Sequence, residues 1–228
     1  MLIHRNWLRV NGLDLLQISV AGMPGHDVRA ATSTALATAA DELQKHGIPP
    51  HHIVRSRVWG RDAEARVAAS DIRRLALSAD KRGASSSFYD AERLPADTNV
   101  LVELTGLRAE PTSQKVVRDY EQPVAAPRFV QLERAVFLSG VTDIAEGINA
   151  QIECIRQKIQ ESLQIAGCSW ADTISASAYV AKHTECSAAQ KALESHFPRL
   201  NCPVSMTTVQ GLSAPEKLIE IEVSAAIG

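Results

Sequence analysis

The stretch DELQKHGIPPHHIVRSRVW, residues 41–59, is answered by ESLQIAGCSWADTISASAY, residues 161–179. Leu43 falls on Leu163, Gln44 on Gln164, Gly47 on Gly167 and Trp59 on Tyr179, each pair 120 positions apart. Outward from there, ISVAG at 18–22 answers VFLSG at 136–140 after 118 positions, and VLVE at 100–103 answers IEIE at 219–222 after 119. Three stations in one order at nearly constant spacing identify a diverged duplication. A repeat has to be recognised before single elements are read, because each copy is one folding unit.

Both copies read alike. In the second, Ala135 to Ser139 is a short apolar run ending at Gly140, which predicts a strand. Ile148, Ile152, Ile155, Ile159, Leu163 and Ala166 recur at three and four, one apolar stripe on a helix. Gly167 follows at the position that favours a left-handed turn. Thr173 to Val180 alternates as a strand, and Ser187 to Phe197 reads as a second helix stopped by Pro198. Val204 to Val209 and Leu218 to Ser224 are two further strands around a Ser213-Ala214-Pro215 turn. In the first copy Val28, Thr32, Ala35, Ala39 and Leu43 form a weaker stripe closed by Gly47. The order per copy is β-β-α-β-α-β-β. It predicts an α/β (α+β) fold, each unit a sheet with two helices on one face. The expected division is a first domain at 1–110, a Pro-containing linker at 111–126 and a second domain at 127–228.

Bulk properties narrow the function. With 24 basic and 26 acidic side chains the net charge is −2, so there is no basic excess for nucleic acid. The amino-terminal residues lack the apolar core of a signal peptide, and no run of about 18 apolar residues predicts a membrane span. Cys154, Cys168, Cys186 and Cys202 form no C-x-x-C pair and suit reduced thiols. No His, Cys, Asp or Glu cluster has metal-ligand spacing. The expectation is a cytoplasmic, cofactor-free protein that takes a small molecule and engages neither membrane nor nucleic acid.

Phe137-Leu138-Ser139-Gly140, Ile165-Ala166-Gly167 and Leu218-Ile219-Glu220-Ile221-Glu222-Val223 make the chain resemble the YjgF/RidA family. The first copy keeps Ala21-Gly22, Leu94-Pro95 and Val102-Glu103, so the resemblance runs through the chain in two passes. It implies a chorismate-mutase-like sheet per unit, assembly as a homo-oligomer (a trimer around a barrel of sheets), and clefts between units. The implied activity is hydrolysis of reactive enamines and imines to ketones and ammonia. A second, local resemblance is to chorismatases, which carry a Pro-Arg-Phe like Pro127-Arg128-Phe129 ahead of their Ser-Gly strand.

Carried over position by position, the family's catalytic glutamate falls on Glu220, while the first copy has Leu101 there. The Ser-Gly strand end, whose backbone N–H groups help hold the substrate carboxylate in the family, falls on Ser139 and Gly140. The amide-bearing residue of the second helix falls on Gln190. The family's carboxylate-gripping arginine falls on Ser205 or its neighbour Val204, and in the first copy on Ala84 to Ser87. The clamp is therefore absent from its usual place, and Arg128 is the candidate to supply a cation from another direction. Read without the family, Glu220 is one polar residue of an alternating strand and Arg128 a surface arginine. The leading expectation is a glutamate-activated water or proton transfer on a carbon–nitrogen substrate. The alternatives are a silent metabolite-binding or ring-stabilising protein and chorismatase-like turnover of a cyclic carboxylate.

Overall fold

The computed structural model describes residues 1–77, 83–122, 126–197, 200 and 202–228; the expected stop at Pro198 lies outside them. The first copy runs β1 (Ile3–Val10), β2 (Leu13–Ala21), α1 (Val28–Lys45), β3 (Ile53–Gly60), α2 (Ala63–Ala76), β4 (Ser85–Asp90) and β5 (Val100–Leu107). After β6 (Lys115–Arg118) the second copy repeats the order: β7 (Phe129–Leu132), β8 (Ala135–Leu138), a short β9 (Val141–Thr142), α3 (Ile148–Ile165), β10 (Thr173–Ala181), α4 (Cys186–His196), β11 (Val204–Val209) and β12 (Ile219–Ala226).

Sheet order confirms the duplication. The first sheet is β1-β2-β5-β3-β4 and the second contains β7-β8-β12-β10-β11 in the same order. In each, one pair is parallel (β3 with β4, β10 with β11) and the last strand runs antiparallel beside the third. Even the register repeats, Trp59 opposite Leu101 as Tyr179 is opposite Glu220. The expected linker does more than connect. Its strand β6 pairs with β7 and extends the second sheet, although only Val116 and Val117 make Lys115–Arg118 look like a strand.

The helices form where the apolar spacing put them. Ile152, Ile155, Ile159 and Leu163 on α3 are buried against Ile219, Ile221 and Val223 of β12. Asp27 and Asp62 cap α1 and α2 by accepting from the backbone N–H of Ala30 and Ala65. Gly47 and Gly167 end α1 and α3 with φ of +77° and +74°, as a left-handed exit requires.

Alternate residues on each strand face away from the helices, and the two sheets meet on these helix-free faces. At one end Val54, Leu107, Val130, Leu132 and Phe137 form an apolar core shared by both copies. At the other, Tyr89 stacks on Tyr179 with centroids 4.1 Å apart and Trp59 packs beside them. Between lies a charged layer. Arg57 grips Glu222 through Nε and Nη2, the shortest contact 2.6 Å, and Tyr89 donates its hydroxyl to the same carboxylate at 3.0 Å. Arg55 lies 3.5 Å from Glu222 and donates to the carbonyls of Leu138 and Val223. Burial raises the Glu222 pKa, but Arg57 and Arg55 outweigh it and hold the carboxyl down at about 2. Glu222 is thus an ionised fastener between the copies.

Candidate functional site

β12 alternates Ile219, Glu220, Ile221, Glu222, so the two carboxylates that leave the helix side both enter the space between the sheets. Glu222 meets two arginines there and Glu220 meets none. Glu220 is 5% exposed, and its carboxyl lies against the break between β8 and β9. A Cβ on Gly140 would fall 1.8 Å from Glu220 Oε1 and 2.5 Å from Ser87 Oγ, so the backbone passes where only glycine fits. Ser87 and Tyr89 stand close enough to temper the effect, yet Oε1 and the Ser87 hydroxyl both lack a well-formed hydrogen bond. Burial first, and the nearby Glu222 charge second, push the Glu220 pKa up to about 8. At neutral pH the carboxyl is therefore mainly protonated: a buried acid with an open coordination position.

This carboxyl opens on a cavity of about 320 Å³ whose wall comes from both copies. The first copy supplies Ser86, Ser87 and Phe88 of β4 and Arg66 of α2; the second supplies Gly140, Thr142, Lys217 and Glu220. Two hydrogen bonds clasp the copies at its edge, from Gly140 N–H to the Ser86 carbonyl (3.0 Å) and from Ser86 N–H to Ser139 Oγ (3.0 Å). Ser139 N–H also bonds within the protein, to the Arg128 carbonyl at 3.2 Å. The backbone groups expected to hold a substrate carboxylate are thus committed internally. Gly140 contributes space, and Ser139 contributes the clasp.

Among the described residues the cations at the cavity are Arg66 and Lys217, neither singled out by the sequence. Arg66 is tied to Asp90 at 2.6 Å. Lys217 bonds to the Ser213 hydroxyl at 2.6 Å and has no carboxylate within ion-pair distance among the described residues. Burial lowers its pKa, while Glu220 partly offsets the shift. Its place three residues before Glu220, in the turn entering β12, is the signal that would have found it. Arg66 sits on a helix of the other copy, and no local pattern points to it.

Arg128 does not reach this cavity. It lines an adjoining one of about 750 Å³, bonded by both Nη atoms to Glu161 (3.0 and 3.1 Å) and lying over the Tyr120 ring at 4.9 Å. Gln190 and Ser205 are corrected. Gln190 is on the exposed side of α4, bonded to Glu194, and α4 covers the sheet face opposite to Glu220. Ser205 lies on the outermost strand β11, bonded to Ser177 Oγ at 3.0 Å, two strands away from β12. The cleft forms on β4 of the first copy, so the position that matters there is Ser86–Ser87.

In the first copy Leu101 stands where Glu220 stands in the second, in a cavity of about 420 Å³ with Trp59, Glu103 and Thr208. Glu103 is satisfied by Trp59, Gln17 and Ser19, and Glu92, which also lines this cleft, is exposed and paired with Lys182, so among the described residues this cleft has no buried unsatisfied acid like Glu220. Among the described residues no group of His, Cys, Asp and Glu is arranged to hold a metal ion, and no helix is long and apolar enough to cross a membrane.

Residues 120–227 match the family described as Endoribonuclease L-PSP. A solved chorismatase covers 97% of this chain with 79% of its own length, at 15% identity and a TM-score of 0.63. Single-unit structures cover half. Rv2704, a YjgF/YER057c/UK114 family member of Mycobacterium tuberculosis, is 24% identical over 50% of this chain and 100% of its own, with a TM-score of 0.46. The Rid family protein YyfA of Yersinia pestis is 19% identical over 50% of this chain and 99% of its own, with a TM-score of 0.43. None of the curated proteins matches the chain in sequence.

Proposed function

We propose that this chain, whose residues 120–227 match the Endoribonuclease L-PSP family and whose two-unit fold is shared with a solved chorismatase, is a cofactor-independent enzyme that hydrolyses a small imine or enamine in the cleft between its copies. The observation that carries this reading is the buried Glu220 carboxyl with an unsatisfied oxygen in a cavity of molecular size, where burial pushes its pKa up to about 8. A pKa near the working pH is what a group needs to give a proton and take it back.

In the proposed cycle the C=C electron pair of the enamine takes the Glu220 proton at the β-carbon, and the nitrogen lone pair forms the C=N bond of an iminium ion. The carboxylate now left on Glu220 removes a proton from water as the water oxygen bonds to that carbon, giving a carbinolamine and restoring the acid. Glu220 then protonates the amino nitrogen, the C–N bond breaks to release ammonia, and the hydroxyl proton returns to Glu220 as the carbonyl forms. An imine substrate enters at the second step once its nitrogen is protonated. The balance is enamine plus water to ketone plus ammonia. The family description names an endoribonuclease, but a net charge of −2 favours a small molecule over RNA.

The test is ammonia release from 2-imino acids generated in situ. Wild type is expected to accelerate it and Glu220→Gln to lose at least about a hundredfold, the usual contribution of general acid–base catalysis. Full activity in the folded variant removes the mechanism. A second reading, turnover of a cyclic carboxylate, is favoured by the two-unit fold shared with the chorismatase and by the larger cavity next to the Glu220 cleft. Incubation with chorismate separates the two.

A further inference from the structure

The cavity at Glu220 and the larger one beside it share Gly140, Thr142 and Lys217 as common wall. They therefore adjoin as two lobes, with Lys217 at the junction. The larger lobe is lined by four cations, Arg118, Arg128, Lys158 and Lys217, and by three carboxylates, Asp119, Glu121 and Glu161. Arg128 and Lys158 are ion-paired to Glu161 and Asp143, whereas Arg118 and Lys217 have no carboxylate within ion-pair distance among the described residues. Arg128 keeps one donor unused even so. Its Nε–H is buried with no hydrogen-bond partner among the described residues, although the two Nη atoms hold Glu161 and the guanidinium lies over Tyr120. A buried charged donor left unmade is costly, which makes it a preformed position for an acceptor.

We infer that the substrate is a dicarboxylate spanning both lobes. One carboxylate sits on Lys217 beside the reacting carbon, and the second reaches Arg128 Nε in the larger lobe. This rests on Glu220 as the reacting group. It assigns to Lys217 the role left empty by the serines of β4, and it explains why a lobe of about 750 Å³ adjoins a reaction cavity of about 320 Å³.

The probes are 2-oxoglutarate, a dicarboxylate, and 2-oxobutanoate, a monocarboxylate, each of the 2-oxo acid class that the reaction would release. Their binding is measured by calorimetry on the full chain. Wild type is expected to bind 2-oxoglutarate about tenfold or more tightly than 2-oxobutanoate, the worth of one charge-assisted hydrogen bond. Arg128→Met should abolish that preference and leave 2-oxobutanoate unchanged, with Arg128→Lys restoring part of it. Lys217→Met should weaken both ligands. Equal affinities in wild type overturn the inference without any variant being needed. So does a preference that survives in a folded Arg128→Met protein. Binding does not require turnover, so the two readings fail separately. A dicarboxylate preference without ammonia release removes only the reaction; ammonia release with no preference removes only the second carboxylate.

Discussion

Glu220 and Glu222 are two residues apart on one strand and behave as opposites. Glu222 has Arg57 and Arg55 and is ionised; Glu220 has neither and keeps its proton. The activity is accordingly expected to be level below pH 8 and to fall above it, as the acid form is lost, in a pH profile of kcat/KM. Stability should follow the same group. The folded-state pKa of Glu220 is raised above the ordinary value near 4.5 to about 8. Its contribution is therefore complete below about 4.5 and is lost progressively up to 8. Glu220→Gln has no proton to lose, so it should melt close to wild type at pH 5 and above it at pH 9; melting curves at the two pH values decide this. The candidate acid was legible in Ile219-Glu220-Ile221-Glu222 because strand alternation and the family pattern coincide there. Its protonation was not, since that depends on which arginines the other copy brings, and those lie more than a hundred positions away.

The elements were the most legible part. The stripe on α3, the glycine exits at 47 and 167 and the alternating strands each rest on local periodicity, and all were found close to their expected ends. What local periodicity misses is anything set by a partner strand. β6 is a strand because β7 offers it an edge, not because of its own composition. Ser205 was placed at the cleft by counting along one copy, whereas the cleft is closed by β4 of the other copy. At the break between β8 and β9, Gly140→Ala is expected to drive a methyl into the Glu220 carboxyl. The predicted cost is about 1–3 kcal/mol with loss of turnover. Chemical denaturation measures it, and the double variant Gly140→Ala/Glu220→Ala should recover part of the stability but none of the activity.

At the level of the molecule, duplication was visible from the first repeat, but the way the copies join was not. They are fastened by a buried ion pair, an aromatic stack and an apolar core to which both contribute. Arg57→Ala leaves Glu222 with Arg55 alone between the sheets and should cost about 3 kcal/mol, read from the denaturation midpoint. Replacing Arg55, Arg57 and Glu222 together by methionine should cost less than the sum of the single changes, because no unpaired charge then remains. A fragment of residues 111–228 alone would present Val130, Leu132 and Phe137 to water. It is expected to self-associate or aggregate on size exclusion, whereas the full chain should elute without that material.

The clasp between Ser86 and the Ser139–Gly140 corner has a practical corollary. Seam and pocket are one place, so any slippage of one copy against its twin is expected to spoil the proposed reaction chamber before either copy melts. In rising urea, catalysis should therefore fade ahead of the far-ultraviolet helix signal, making turnover an early-warning gauge of how firmly the duplicated chain holds itself shut.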